Sequence, residues 1–178
     1  MTMTPGTRKL VLTAHVVTSV GWLGAAAASL ALAIAGFTSP DLQLVRAAYL
    51  MMDVTARYVL LPLSLASLLT GTIQSLGTRW GLLRHYWVVT KLVINVMGTI
   101  ILVRYLKSLS DLAAVARDLT SSTGALDVLR SPTVTLRACI ALCHLFVATA
   151  LSIYKPHRLT RLGRRRLRAS AIATAPRG

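Results

Sequence analysis

The stretch Lys9–Phe37, KLVLTAHVVTSVGWLGAAAASLALAIAGF, decides the fold of this chain. Beyond Lys9 it holds no acidic residue, lysine or arginine, and it exceeds the roughly 20 apolar residues with which a helix crosses the hydrocarbon core of a membrane. The pair Arg8 and Lys9 precedes it as in a secretory signal peptide, but the run continues well beyond the apolar region of such a peptide. We therefore interpret this stretch as a retained signal-anchor helix.

Three further apolar runs have the same character and cover about Ala47 to Leu76, Leu83 to Leu106 and Val134 to Tyr154. Of the 178 residues, 54% are hydrophobic and 14% are charged, well below the charged share of about a quarter that is usual in soluble domains. The sequence predicts an all-α fold, a bundle of four transmembrane helices formed by residues 1–157. Between the third and fourth spans, SDLAAVARDL (residues 110–119) is amphipathic and predicts a short surface helix.

The charge of the chain is strongly one-sided. There are 20 Lys and Arg against 5 acidic residues, and the formal net charge is +15. The excess is concentrated after the last apolar run, in KPHRLTRLGRRRLR (Lys155–Arg168), a position that favours anionic lipid headgroups over nucleic acid. Residues 158–178 are predicted to be a basic, disordered tail. Lys and Arg near the ends of the spans favour a multi-pass protein of the cell membrane with both termini in the cytoplasm.

Each span carries a stripe of polar or small residues at alternating steps of three and four, the spacing of one helix face in a bundle. In the first span this stripe places His15 and Trp22 two turns apart on one face. Because polar side chains are costly in contact with lipid, we expect the four stripes to face one another as the packing seam of the bundle.

Three ionisable residues of these stripes need a further explanation. At 1.5 Å of rise per residue, His15 lies roughly 9 Å beyond Lys9, and Lys91 lies roughly 10 Å beyond Arg84. The two are therefore expected at a similar depth, whereas His144 lies deeper, about 16 Å inside Lys155. An ionisable group at such depths suggests a functional site, although for each histidine a simple hydrogen bond to a neighbouring hydroxyl is the alternative.

These residues fit a tetrapyrrole bound between helices. A b-type haem needs axial ligands from facing helices, and His15 with either Lys91 or His144 supplies them. Trp22 and Trp87 are then expected to flank the ring. Arg84, His85, Lys155 or Arg158 is expected to contact the propionates at the cytoplasmic edge.

Copper is the alternative cofactor. Cys139 and Cys143 lie on one face of the last span, next to His144, and thiolates together with nearby methionines bind Cu(I). The pair does not have the spacing of a c-type haem attachment motif. No phosphate-binding loop, zinc-protease motif or nucleophile elbow occurs in the chain, and paired-carboxylate chemistry is hard to build from five acidic residues.

Two local patterns resemble a known family. The pairs His15 with Trp22 and Trp87 with Lys91 resemble signatures of HemJ-type membrane protoporphyrinogen oxidases. This resemblance implies that His15 and Lys91 handle haem or porphyrin, and that any enzymatic activity is that of an oxidoreductase. The chain departs from the family at the end of the third span, where it has ILVRYLK (residues 101–107).

Two other resemblances concern architecture. The segment HVVTSVGWLGA (residues 15–25) is similar to the opening helix of CopD-type copper-resistance membrane proteins. From about Lys9 to Tyr154, including YVLLPLSLASLLTGTIQSLGTRWGLLRHYWVVTKL (residues 58–92), the chain resembles a family of actinobacterial four-span integral membrane proteins. That likeness implies the fold and no particular reaction.

Three hypotheses for function follow. The first is a multi-pass membrane protein that binds haem b or porphyrin in the bundle for redox chemistry, with a membrane electron-transfer partner or a second copy of itself. The second is a copper-handling or permease-like membrane protein. The third is a non-catalytic accessory subunit whose stripes only pack helices.

Overall fold

A computed structural model describes residues 3–77, 86–118 and 123–154, and within these ranges it contains helices and no strand. The elements are α1 (Pro5–Thr38), α2 (Leu42–Thr55), a π-helical turn (Ala56–Leu60), α3 (Leu61–Leu76), α4 (Tyr86–Arg117), α5 (Thr123–Leu129) and α6 (Pro132–Tyr154). The predicted all-α fold is confirmed. The predicted tail, residues 158–178, lies outside the described residues.

Four stretches in the described part of the chain are long and apolar enough to cross a membrane. They are Pro5–Thr38, Leu42–Leu76, Val88–Arg117 and Asp127–Ser152. Many large apolar side chains point outward from them, as expected of helices whose surroundings are lipid. The chain is thus a multi-pass membrane protein by architecture, and the side on which its termini lie stays a prediction.

The four spans form a closed ring. The first span packs against the second and the fourth, and the third span does the same from the other side. As a result α1 and α4 lie on opposite sides of the bundle, and side chains from both can meet at its centre. This arrangement positions the site described below.

The first and second spans approach each other closely near their connection. A Cβ atom on Gly36 would lie 3.1 Å from Cε2 of Tyr49, so only glycine fits there without moving the ring. Tyr49 is fully buried, and its hydroxyl donates a hydrogen bond to the backbone carbonyl of Leu129 at the end of α5. In the turn that follows α1, the Asp41 carboxylate accepts from the backbone N–H of Gln43 at 2.9 Å and caps α2.

The second span changes its winding in the middle. In the π-helical turn the N–H of Leu61 donates to the carbonyl of Ala56, five residues back. Pro62 follows and has no N–H to continue the regular ladder, which explains why the irregular turn occurs at this point. Arg57, in this turn, forms an ion pair with Asp53, four residues earlier in α2. Nε of Arg57 lies 3.0 Å from Oδ1 of Asp53.

One local expectation differs from the structure. Residues 110–117, predicted to belong to a separate surface helix, continue α4 instead, because no glycine or proline interrupts the helix after Leu106. Their apolar face packs inward, with Ala113 and Ala116 fully buried. The short helix between the third and fourth spans is α5, further along the chain.

Candidate functional site

His15 is held at the centre of the bundle by α3. Its Nδ1 lies 3.1 Å from the backbone carbonyl oxygen of Ser67 and 3.1 Å from Oγ1 of Thr70. A carbonyl oxygen can only accept, and the Thr70 hydroxyl already donates to the carbonyl of Ala66 at 2.7 Å. Nδ1 therefore carries the ring hydrogen and donates, which leaves the lone pair of Nε2 facing away from α3.

Small residues make room for this ring. A Cβ atom on Gly71 would lie 2.9 Å from Cε1 of His15, closer than atoms normally approach. Beside it, the hydroxyl oxygens of Ser19 and Ser67 lie 2.8 Å apart and join α1 to α3. The ring, with 8% of His15 exposed, is thus fixed in position as well as in orientation.

Lys91 reaches His15 from the opposite side of the bundle. Its Nζ lies 3.4 Å from Nε2 of His15. An ammonium group can only donate, and Nε2 of His15 is the nitrogen that is free to accept. The sequence predicted these two residues at a similar depth, and the structure brings them into direct contact.

The pair borders a cavity of about 1000 Å³ between α1, α3, α4 and α6. Its wall is largely apolar, and the basic side chains of Arg8 and Lys91 line it together with His15. No Asp or Glu is among the described residues that line the cavity. The site therefore has room for a large ligand and a charge that favours an anionic one.

Trp22 lies at the inner end of this cavity and also lines a second one of about 540 Å³. His144 belongs to the second cavity, where its Nε2 donates to the backbone carbonyl of Ile94 at 2.7 Å. A Cβ on Gly98 would lie 3.0 Å from Nε2 of His144 and 3.5 Å from Cη2 of Trp22. The structure thus joins His15, Lys91 and Trp22 at one cavity and places His144 at the other.

Two residues that were predicted to contact the tetrapyrrole have side chains that the structure does not describe. Trp87 lies in the first turn of α4, and the structure does not describe its side chain. Arg84, predicted to contact propionates, lies outside the described residues. Both stay predictions.

The predicted copper ligands lie at the surface of α6. Cys139 is half-buried and Cys143 is exposed. Within residues 3–77, 86–118 and 123–154, no group of three or more His, Cys, Asp or Glu side chains can hold a metal ion. No observation favours the copper hypothesis, which stays a prediction.

Sequence reasoning missed three contributors to the two cavities. Arg8 lies seven residues before His15 and Tyr105 lies seven residues after Gly98, so both follow the helix faces already identified. Extending each stripe by two turns would have found them. Thr70 lies off its stripe, and its hydrogen bond to His15 becomes visible only in three dimensions.

No protein-family model, curated protein or solved structure matches this chain. The resemblances to HemJ-type oxidases, CopD-type proteins and the actinobacterial family therefore stay predictions.

Proposed function

We propose that the cavity bordered by His15 and Lys91 binds a porphyrin or haem. One observation carries the proposal, namely that the bond from Nδ1 of His15 to the Ser67 carbonyl orients the ring and leaves Nε2 as an acceptor at the cavity. This is how metal-binding histidines are usually held, with the second nitrogen fixed by a carbonyl or carboxylate.

Charge supports a ligand with carboxylates. Arg8 and Lys91 line the cavity, and no Asp or Glu is among the described residues that line it. A cleft lined by charges of one sign attracts ligands of the opposite sign. Porphyrins combine a large apolar ring with carboxylates, which matches an apolar wall that carries two basic side chains.

Size is compatible with this ligand. The cavity of about 1000 Å³ is at the upper end of the usual range for small-molecule sites, roughly 300–1000 Å³. Trp22 at its inner end offers an aromatic surface for a ring.

We propose one protein ligand to the iron, where the sequence analysis proposed two. Nζ of Lys91 lies 3.4 Å from Nε2 of His15, where the ammonium group can donate to the imidazole or to a ligand beside it. We therefore assign the contact with iron to His15 alone and the binding of carboxylate, or the donation of a hydrogen bond to the ligand, to Lys91. A bound haem supplies one-electron chemistry, and the resemblance to HemJ-type oxidases supports an oxidoreductase.

A titration of the detergent-purified chain with metal-free protoporphyrin IX and with its dimethyl ester tests the ligand class. The free acid is expected to bind saturably and at least about tenfold more tightly than the ester, because one charge-assisted contact is worth about 1.5–3 kcal/mol. Lys91→Met should reduce this preference.

Lys107→Met is the matched control, because Lys107 lies on the same helix with its side chain 86% exposed and pairs with exposed Asp111. It should leave the preference for the free acid unchanged. Equal affinity for acid and ester, or no saturable binding of either, would refute the proposal.

A further inference from the structure

The second cavity has a chemistry of its own. It lies between α1, the π-helical turn, α4 and α6, and its wall is mostly apolar, with Met52, Leu60 and Val134 as examples. Trp22 and Leu145 line both cavities, and each cavity has its own polar groups. The chemistry of the second cavity does not depend on a porphyrin in the first.

Two residues that line this cavity carry a buried hydroxyl group without a hydrogen-bond partner among the described residues. The two groups are Oγ of Ser29 and Oη of Tyr105. A buried hydroxyl that forms no hydrogen bond costs about 1–3 kcal/mol, and nearly all such groups in proteins are paired. Two beside one cavity indicate that an acceptor other than the described residues completes them.

The charged groups of this cavity lie apart from the two hydroxyl groups. Arg104 and Arg137 line the cavity and are exposed. The guanidinium of Arg137 lies over the ring of Tyr105, 5.4 Å from its centroid, and donates to Oγ of Ser108 at 3.4 Å. The cations are thus at the exposed edge, and the unpaired hydroxyls are inside.

This separation distinguishes a neutral acceptor from an anionic one. A fatty acid would place its carboxylate at the arginines and its chain along the interior, where the chain cannot accept hydrogen bonds from Ser29 and Tyr105. A neutral molecule with carbonyl oxygens on a flat apolar body satisfies the hydroxyls and contacts the aromatic walls formed by Trp22 and Tyr105. Quinones are membrane-soluble molecules with this chemistry.

We propose that the second cavity is a binding site for a quinone-type ligand, with the hydroxyls of Ser29 and Tyr105 as donors to its carbonyl oxygens. His144 forms part of the wall and positions α6 against α4, because its Nε2–H is already donated to the carbonyl of Ile94.

Calorimetry on the full-length protein in detergent tests this site with two matched probes. The first is 2,3-dimethyl-1,4-naphthoquinone, which has no free ring position for reaction with Cys139 or Cys143. The second is 2,3-dimethylnaphthalene, which has the same ring system without carbonyls. The quinone is expected to bind at least about tenfold more tightly than the hydrocarbon.

Variants that remove only a hydroxyl test the assigned donors. Tyr105→Phe and Ser29→Ala should each weaken quinone binding about five-fold while leaving the midpoint of thermal unfolding of the ligand-free protein unchanged or higher, because an unpaired hydroxyl is removed. Tyr58→Phe is the matched control, since Tyr58 is 75% exposed and lines neither cavity, and it should change neither quantity.

Three outcomes would overturn the proposal. They are equal binding of quinone and hydrocarbon, unchanged quinone binding in Tyr105→Phe and Ser29→Ala, and binding of neither probe, which would leave water as the partner of the hydroxyls. Palmitate that displaces the quinone and depends on Arg137 would assign the cavity to an anionic lipid instead. None of these results bears on porphyrin binding, which is measured separately.

Discussion

Nε2 of His15 and Nζ of Lys91 lie 3.4 Å apart at the centre of the bundle, although 76 residues separate them in the sequence. They come from helices on opposite sides of the ring of spans, so the contact depends on the packing of all four. Ionisable groups inside a membrane protein are costly, and for this reason we propose His15 and Lys91 as parts of a binding site.

His15 and His144 are predicted to be opposite tautomers. Nδ1 of His15 donates to the Ser67 carbonyl, whereas Nε2 of His144 donates to the Ile94 carbonyl. Nitrogen-15 NMR of histidine-labelled protein should show one ring protonated at Nδ1 and one at Nε2, assigned by their loss in His15→Gln and His144→Gln. The same tautomer for both rings would contradict the hydrogen bonds described here.

Gly71→Ala is predicted to destabilise the protein. The added methyl group would lie 2.9 Å from Cε1 and 3.3 Å from Nδ1 of His15, so it must displace the ring from the Ser67 carbonyl. Overpacking of this kind costs about 1–3 kcal/mol, which thermal unfolding in detergent will show as a lower midpoint.

Gly24→Ala is the control for that variant, because a Cβ there meets nothing within 4 Å. Alanine is the better helix former by about 1 kcal/mol, so this variant should be at least as stable as the unmodified chain. If both alanine variants behave alike, the His15 ring is not packed against Gly71.

The contact of His144 with Gly98 predicts a coupling between the two positions. A Cβ on Gly98 would lie 3.0 Å from Nε2 of His144 and should disturb its bond to Ile94. In a double-mutant cycle, Gly98→Ala should be destabilising in the unmodified chain and neutral or stabilising in the His144→Ala background, a coupling of about 0.5–3 kcal/mol in the free energy of unfolding. Additive effects would contradict this contact.

The ion pair beside the π-helical turn predicts an asymmetry between its partners. The side chain of Asp53 is 11% exposed and that of Arg57 is 42% exposed, so only the arginine has ready access to headgroups or water. Arg57→Met leaves a buried carboxylate and should lower the free energy of unfolding by about 1–3 kcal/mol, a value reduced for the exposure of the pair.

Asp53→Asn is expected to cost less, under about 1 kcal/mol, because the arginine it leaves behind is half-exposed. Equal costs for the two variants, measured by unfolding in the same detergent, would show that burial does not distinguish the partners.

Much of this architecture follows from the sequence, because apolar length and stripe spacing depend on local helix geometry. The contact of His15 with Lys91 was within reach, since depth could be counted from charged residues at the span ends. The backbone carbonyls of Ser67 and Ile94 could not be predicted as acceptors, because every residue has a carbonyl group and the sequence does not show which one faces a histidine. The placement of His15 and His144 at different cavities could not be predicted either, because it depends on side-chain packing between spans.

The extent of α4 shows a second property that the sequence pattern does not predict. Residues 110–117 look like a surface helix because they are amphipathic, but their apolar face is buried against the bundle. Amphipathic periodicity reports that a helix has two unlike faces, and it does not report what covers the apolar one.

A haemin titration followed in the visible spectrum tests haem binding at His15, with His15→Ala compared against His144→Ala. We expect a saturable Soret band in the unmodified chain, at least about tenfold weaker binding in His15→Ala because a metal ligand is lost, and near-normal binding in His144→Ala, whose ring lines the other cavity. An unmodified chain that stays colourless with haemin, or a His15→Ala titration that matches the unmodified one, would contradict it.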